Sequence, residues 1–440
     1  MSDQRPGGAV EESLEEAAAA AGLRWKRALG MATVDLGPLR RHRDFRLLWV
    51  GQLVSMLGHS VTEVAVPFQM YHLTHSVLMV GLISGVELLP MLVLGLAGGL
   101  LADARDRRWM VVVTEVGFAL VSLGLMANTL QRQPSVALLF ILSAAGAGIF
   151  AIQRPSLDSL LPRLVSADEI PAASALHSIR GTFGMIAGPA LAGVMIAAIG
   201  LPYAYGVDVV CLAVSLGAMW FMRAVPPAAG AEAPSVGRLI EGFRYAWSRQ
   251  ELVGTYLVDI AAMLFGMPLA LFPAIADRLG GASVLGLLYA APAVGALVLS
   301  LTSGWTSRVH RHGVGLAFAA GAWGLAIIAF GFASSVPLAL LFLALAGGAD
   351  MLSGLFRQAI WGQTIPDHLR GRLAGIEFLS YTSGPALGGV ESGVAAAVFG
   401  VQFSVVSGGV LCVIAVVLLT ALLPRFRRYD YQVFKAAAQV

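Results

Sequence analysis

Long apolar runs follow one another along almost the whole chain, separated by short polar segments. Twelve such runs can be drawn, and a helix of about twenty apolar residues crosses a hydrocarbon core of about 30 Å. The predicted spans are 47–72, 77–102, 109–130, 134–155, 172–198, 202–222, 251–277, 283–304, 313–333, 336–357, 373–399 and 400–423. The pattern therefore predicts an all-α membrane protein with twelve transmembrane helices.

Composition supports this fold class. Apolar residues make up 57% of the 440-residue chain and charged residues only 12%, whereas roughly a quarter of an average soluble domain is charged. The 51 glycines are typical of membrane helices that approach one another closely. These proportions exclude a soluble globular protein and make the lipid bilayer the predicted surroundings of the chain.

Arginines concentrate in alternate connections between the predicted spans and in both flanks. By the positive-inside rule the arginine-rich side is cytoplasmic, which predicts a multi-pass inner (plasma) membrane protein with both termini inside. The arginines on this side are Arg40, Arg41, Arg43, Arg46, Arg105, Arg107, Arg108, Arg163, Arg223, Arg238, Arg244, Arg249, Arg308, Arg311, Arg370, Arg372, Arg425, Arg427 and Arg428. The opposite side holds Arg132 and Arg278. This distribution explains the pI of about 9.0 without a nucleic-acid partner.

The two halves of the chain echo each other. Gly188-Pro-Ala-Leu-Ala-Gly193 in the fifth span recurs as Gly384-Pro-Ala-Leu-Gly-Gly389 in the eleventh. Two pseudo-symmetric six-helix halves are the architecture of major facilitator transporters. In the segment between the halves, apolar and aromatic residues lie among arginines, a pattern that predicts an amphipathic helix at the cytoplasmic surface of the membrane. The predicted domains are a cytoplasmic tail at 1–46, six-helix halves at 47–222 and 251–423, a cytoplasmic linker at 223–250 and a cytoplasmic tail at 424–440.

No enzyme or metal-site signature is found in the sequence. There is no Walker A loop for a nucleotide, and His310 and His312 lie among arginines in a short loop without metal-site spacing. Cys211 and Cys412 lie in separate apolar runs, where small buried hydrophobes are the expected role. We therefore predict no enzyme activity, no cofactor and no bound metal.

The connection between the second and third spans resembles a signature of the major facilitator superfamily, G-x-L-A-D-R-x-G-R-R. The matching residues are Gly99, Leu101, Ala102, Asp103, Arg107 and Arg108, whereas Ala104 and Asp106 depart from the signature. An acid at this helix end can face a helix N-terminus and a basic partner. We predict a gating latch that also includes Arg154 and Asp158, which are spaced i,i+4. A basic loop that only sets topology is the alternative.

The fifth span resembles the antiporter signature of the same superfamily. Glycines four residues apart give a smooth face for close helix contact, and a proline bends the helix. The predicted helix-interface residues are Gly184, Gly188, Pro189 and Gly193, with Gly384, Pro385, Gly388 and Gly389 in the eleventh span. The repeat favours a structural role where the two halves meet.

A wider resemblance covers most of the chain and concerns the bacterial enterobactin (siderophore) exporters and related drug exporters. It is carried by the segments Phe45–Leu48, Val64–Gln69, His72–Ser76, Val80–Leu82, Gly98–Asp103, Leu161–Val165 and Gly242–Tyr245. The resemblance implies proton-driven export of siderophores or other amphipathic molecules by alternating access. Its relatives include macrolide and multidrug exporters, so it leaves the substrate open.

Ionisable residues inside spans are the candidates for proton coupling, because each costs about 3 kcal/mol or more at the bilayer centre unless it faces a cavity or a partner. The candidates are Glu63, His59, Asp259, Asp350 and Glu87. Glu63 is the first choice, with His59 one turn away as a relay. A satisfied packing contact is the alternative for each. Glu115 and Asp208 lie on helices away from the expected path and are expected to be structural.

Three other functions stay open at this stage. The first is multidrug or macrolide efflux, the second is import, and the third is a non-transporting membrane sensor with the same fold. The predicted partners are a small-molecule substrate, protons and lipid, and the protein is expected to work as a monomer.

Overall fold

A computed structural model describes residues 35–104, 106–225 and 236–430. Side chains are not described at 96–104, at 236–240 and at eight positions between 367 and 379. The described residues contain twelve helices of 17 to 33 residues. They are α1 Arg43–Thr74, α2 Val77–Ala104, α3 Arg107–Thr129, α4 Val136–Leu164, α5 Ile170–Ile199, α6 Leu201–Trp220, α7 Gln250–Gly266, α8 Ala282–Thr302, α9 His312–Gly331, α10 Val336–Thr364, α11 Asp367–Phe399 and α12 Val401–Leu422. After α7, a turn at Leu269–Leu271 and the short helix Phe272–Leu279 complete the seventh element.

Ten of these elements are long and apolar enough to cross a membrane. The helices run beyond several predicted spans. The helix α4 continues to Leu164 and α10 to Thr364, whereas the predicted spans end at 155 and 357. Hydropathy marks only the apolar part of a helix, so it misses a last turn or two of mixed composition. Part of the predicted tail 1–46 is also helical, at Gly37–Arg41 and from Arg43 onward.

The packing of the first six helices is repeated by the last six. Within the first six, α1 packs on α5 and α6, α2 on α4, and α3 on α4 and α6. The equivalent pairs six helices later are α7 with α11 and α12, α8 with α10, and α9 with α10 and α12. The main contacts between the two sets are α2 with α11 and α5 with α8, which are also equivalent to each other.

On the side of the molecule where α5 and α11 terminate, the helices are joined by short connections. Gly200 alone separates α5 from α6, and Gly400 alone separates α11 from α12. Their φ angles are +82° and +93°, a region that favours glycine because it has no Cβ. The other connections at this end contain two to six residues.

At the opposite end the linker helix, Val236–Ser248, lies before α7. The Tyr245 hydroxyl donates a hydrogen bond of 2.8 Å to the carbonyl of Thr364 at the end of α10. Phe243 and Trp247 stack with ring centroids 5.6 Å apart and are 55% and 65% exposed. The linker helix is therefore anchored on one side and presents an aromatic pair on another.

Candidate functional site

A cavity of about 230 Å³ lies inside the first six helices, between α1, α2, α3 and α4. We call it the N-terminal cavity. It is lined by His59, Thr62, Glu63, Val66, Pro67, Glu87, Met91, Phe118, Val121, Ser122, Leu125, Leu142, Ser143, Gly146, Ala147 and Phe150. Three of the five predicted proton-coupling residues therefore share one cavity wall.

The histidine and the first-choice acid lie next to each other, as their i,i+4 spacing predicts. His59 Nε2 is 3.9 Å from Glu63 Oε1, and the Glu63 side chain is 63% exposed. The His59 ring also packs on Phe118, with centroids 4.8 Å apart. Glu63 thus combines an accessible carboxylate with a neighbouring histidine.

Two fully buried acids stand behind the N-terminal cavity. Glu115 accepts hydrogen bonds from Gln52 Nε2 at 2.8 Å, Ser55 Oγ at 3.1 Å and Gln153 Nε2 at 3.4 Å. Asp208 Oδ2 accepts from the hydroxyls of Thr62 and Ser122, each at 2.6 Å. Hydrogen bonds from α1 therefore hold Glu115 of α3 and Asp208 of α6 in place. Buried polar groups normally have such partners.

Asp259 forms an ion pair with Arg357, so it joins α7 to α10. The two side chains are 7% and 16% exposed, and the Arg357 guanidinium lies 5.6 Å from the centroid of the Trp361 ring. Asp350, further back on α10, does not line the N-terminal cavity. The predicted proton-coupling residues on α7 and α10 therefore lie apart from those on α1 and α2, which line the N-terminal cavity.

A second pocket, also of about 230 Å³, lies beside this ion pair and was not predicted from the sequence. Tyr256, Trp361 and Glu377 line it, together with Gly362, Ile365, Arg370 and Leu373. Glu377 is one of two acids inside the eleventh predicted span, with Glu391, and an acid inside an apolar span is the signal that could have found it. The fold class places other helices along the central path, so an acid on α11 did not stand out.

The residues of the predicted latch lie at the arginine-rich end of the first six helices. Arg107 Nε donates to Ser159 Oγ of α4 at 2.7 Å, and Arg108 donates to the carbonyls of Met219 and Trp220 at 2.8 and 2.7 Å. Arg154 Nε and Asp158 Oδ2 pair at 3.2 Å within α4. Gly99 and Asp103 lie in α2, but their side chains are outside the described part of the chain.

The glycine motifs of α5 and α11 occupy equivalent contacts. Gly184 and Gly188 face Met56 and Ser60 of α1, whereas Gly384 and Gly388 face Met263 of α7. A Cβ at Gly193 would lie 2.6 Å from the Ala282 carbonyl oxygen and 2.9 Å from Gly286 Cα, both on α8. Gly389 meets α2 at Ser84 and Gly81. The prolines Pro189 and Pro385 lie within the same helices.

One polar contact between the two sets of helices was not predicted. His72 Nε2 of α1 lies 3.7 Å from Asp277 Oδ1 of the short helix Phe272–Leu279. It lies at the same end of the molecule as the Gly193–Gly286 contact. Nothing in the local sequence pairs these two residues, because their proximity depends on how the two sets of helices pack.

The fold and the cavity define a helical integral membrane protein, multi-pass and with acids inside its helix bundle. A family model described as "Transmembrane secretion effector" matches residues 33–437. The chain belongs to this family of the major facilitator superfamily.

Curated relatives and solved structures agree with this assignment. The enterobactin exporter EntS of Shigella boydii serotype 18 is 28% identical over 404 residues, covering 91% of this chain and 97% of that protein. EntS of Escherichia coli O1:K1 is 27% identical over the same length and coverage. A single-residue variant of the nucleoside transporter NupG superimposes with a TM-score of 0.73 at 12% identity, covering 86% of this chain and 99% of that one. A bacterial homologue of the human lysosomal transporter Spinster, solved in an inward-facing and unoccupied conformation, superimposes with a TM-score of 0.69 at 16% identity. The match covers 88% of this chain and 98% of that one.

Proposed function

We propose that the chain exports a siderophore-like or other amphipathic small molecule across the inner membrane, in exchange for protons. The observation that carries the proposal is the N-terminal cavity, in which Glu63, His59 and Glu87 meet inside a fold of transporters. The similarity to exporters of enterobactin supports the direction of transport. Multidrug or macrolide efflux is the second candidate, because the cavity wall is largely apolar.

The proposed mechanism is alternating access between two halves of six spans each. The contacts of Gly193 with Gly286 and of Gly389 with Gly81, together with the His72–Asp277 pair, join the two halves at one end. With the arginine-rich side inside, that end is the outer one, so this state is closed toward the outside. We propose that Asp103, Arg107 and Arg108 form the latch that closes the opposite end in the other state.

The proton route is tested with Glu63→Gln in proteoliposomes. The substitution keeps the size and hydrogen bonding of the side chain but removes its charge. Substrate exchange without a gradient should persist, whereas uphill transport driven by a pH gradient should collapse. The measured substrates are enterobactin and the macrolide erythromycin. If the wild-type protein moves neither against its gradient, the proposed function is wrong.

Parallel variants locate the coupling residue. Glu391→Gln is the matched control, since Glu391 is an acid of α11 that does not line the N-terminal cavity. Asp259→Asn and Asp350→Asn test the other candidate acids. If Glu63→Gln still concentrates substrate and one of these variants does not, although it is folded and still exchanges substrate without a gradient, the coupling role passes to that acid.

A further inference from the structure

A pocket of about 220 Å³ lies at the end of the molecule that carries Gly200 and Gly400. It is formed by the short helix Phe272–Leu279, the end of α9 and the start of α12. We call it the Arg278 pocket, after the charged residue that the short helix contributes to its wall. None of the predicted proton-coupling, latch or helix-interface residues lines it.

Arg278 brings a positive charge to this pocket. Its side chain is exposed, and its guanidinium forms no ion pair or hydrogen bond with any of the described residues. The preceding residue, Asp277, contacts His72 of α1 instead, with Oδ1 and Nε2 3.7 Å apart. The charge of Arg278 is therefore available to an anionic group from outside the chain.

Two polar side chains lie in the same wall. Ser334 follows the end of α9 and Gln402 lies in the first turn of α12, and both are exposed. A hydroxyl and a side-chain amide can each donate a hydrogen bond to an anionic oxygen. Arginine presents a planar fork of donors that matches the geometry of a phosphate group. The polar part of the pocket therefore suits an oxyanion such as a phosphate ester.

The rest of the pocket is apolar and continues into the exposed surface of the helix bundle. Phe332 lines the pocket and is 64% exposed. Leu325 and Phe318 of α9 lie seven and fourteen residues before it, which places them on the same side of the helix, and they are 60% and 73% exposed. An exposed apolar stripe on a membrane-spanning helix is covered by the acyl chains of lipid. The pocket thus joins a site for an oxyanion to a surface for hydrocarbon, and a phospholipid has both parts.

We propose that the Arg278 pocket binds a phospholipid of the adjoining leaflet. The phosphate pairs with Arg278, and an acyl chain lies along Phe332 and Leu325. The arginine distribution predicts that this leaflet is the outer one. The bound lipid holds the short helix, which contacts α1 through Asp277, against α9 and α12. The inference does not depend on the proposed function, because neither a transported substrate nor a proton takes part in it.

The test uses the purified full-length protein in dodecyl maltoside, a detergent without phosphate. Phe332 is replaced by the photoreactive residue p-benzoylphenylalanine, and radiolabelled phosphatidylglycerol or diacylglycerol with the same acyl chains is added. After irradiation, the label on the protein should be at least about fivefold higher with phosphatidylglycerol, since only this lipid supplies an anionic partner for Arg278.

A soluble competitor distinguishes a lipid from a free phosphate ester. An excess of unlabelled glycerol 3-phosphate, which has the phosphate but no acyl chain, should leave the labelling by phosphatidylglycerol unchanged. Displacement of the lipid by this compound would show a site for a free phosphate ester and would overturn the lipid assignment.

Substitutions then locate the charge that holds the lipid. Arg278→Gln should reduce labelling by phosphatidylglycerol about fivefold, and Arg278→Lys should retain most of it, because the positive charge remains. Arg132→Gln is the matched control, since Arg132 is the other arginine of this side, is exposed and does not line the pocket. Size-exclusion profiles and thermal unfolding check that each variant is folded. Equal labelling by the two lipids, labelling that Arg278→Gln does not reduce, or an equal loss in Arg132→Gln would contradict the inference.

Discussion

At the scale of single residues, Asp259 and Arg357 show what a charged side chain requires inside a bundle of membrane helices. Each side chain is almost fully buried, and each supplies the counter-charge of the other across α7 and α10. The Trp361 ring adds a cation–π contact to Arg357. Loss of one partner leaves a buried charge without compensation, which is far more costly than loss of both.

This asymmetry gives a stability prediction. Asp259→Asn should lower the free energy of unfolding by about 3–5 kcal/mol, the usual cost of breaking a buried ion pair. The double variant Asp259→Asn with Arg357→Met should recover most of that loss, because neither charge of the pair remains. Thermal unfolding of the purified proteins in detergent provides the measurement. A single variant as stable as the wild type would show that Glu377 or water, rather than Asp259, compensates the charge of Arg357.

Single residues also show how much of the candidate site could be predicted from the sequence. Glu63, His59 and Glu87 were recognisable as costly polar residues inside apolar runs, and the structure brings them to one cavity. The i,i+4 spacing of His59 and Glu63 also indicated their contact. The pairing of Asp259 with Arg357 and of His72 with Asp277 was out of reach, because local periodicity says nothing about contacts between distant helices.

At the scale of helices, small residues decide which faces can touch. Gly193 of α5 packs directly on the backbone of α8, whereas a Cβ built at Gly181 of the same helix has no neighbouring atom of another described element within 4 Å. The repeat of the motif in α11 predicted a structural role, and the two motifs occupy equivalent places in the bundle. The sequence did not reveal which neighbours they contact.

The two glycines provide a matched pair of substitutions. Gly193→Leu should destabilise the protein by about 1–3 kcal/mol, because the added side chain forces α5 away from α8. Gly181→Leu places the same side chain in open space, so its effect should stay within about 0.5 kcal/mol. Thermal unfolding of both variants compares them directly. Equal losses would mean that the α5–α8 contact does not support the fold.

Helix ends were predicted less well than helix existence. The helices α4 and α10 extend past the apolar segments from which they were predicted, and α7 is broken at Met267 and Pro268. Apolar composition is imposed by lipid only along the hydrocarbon core. The flanking turns are free to be polar, so hydropathy cannot mark where the backbone hydrogen bonding stops.

At the scale of the whole molecule, the orientation in the membrane is the main prediction. By the positive-inside rule, the loop arginines predict that the Arg107–Arg108 end and both termini lie in the cytoplasm. Alkaline phosphatase, which folds to an active enzyme only outside the inner membrane, should be silent when fused after Arg108 or Val440. It should be active after Arg132. Activity at Val440 would contradict an even number of spans.

The short connections at the end that carries Gly200 and Gly400 have a consequence for the surroundings of the protein. One to six residues join each pair of helices there, so the polypeptide barely rises above the ring of helix ends. A protein that approaches this side from the water would meet helix ends and short connections rather than a long loop. If this side faces the periplasm, as the arginine distribution predicts, a partner that collects released substrate would have to bind these helix ends.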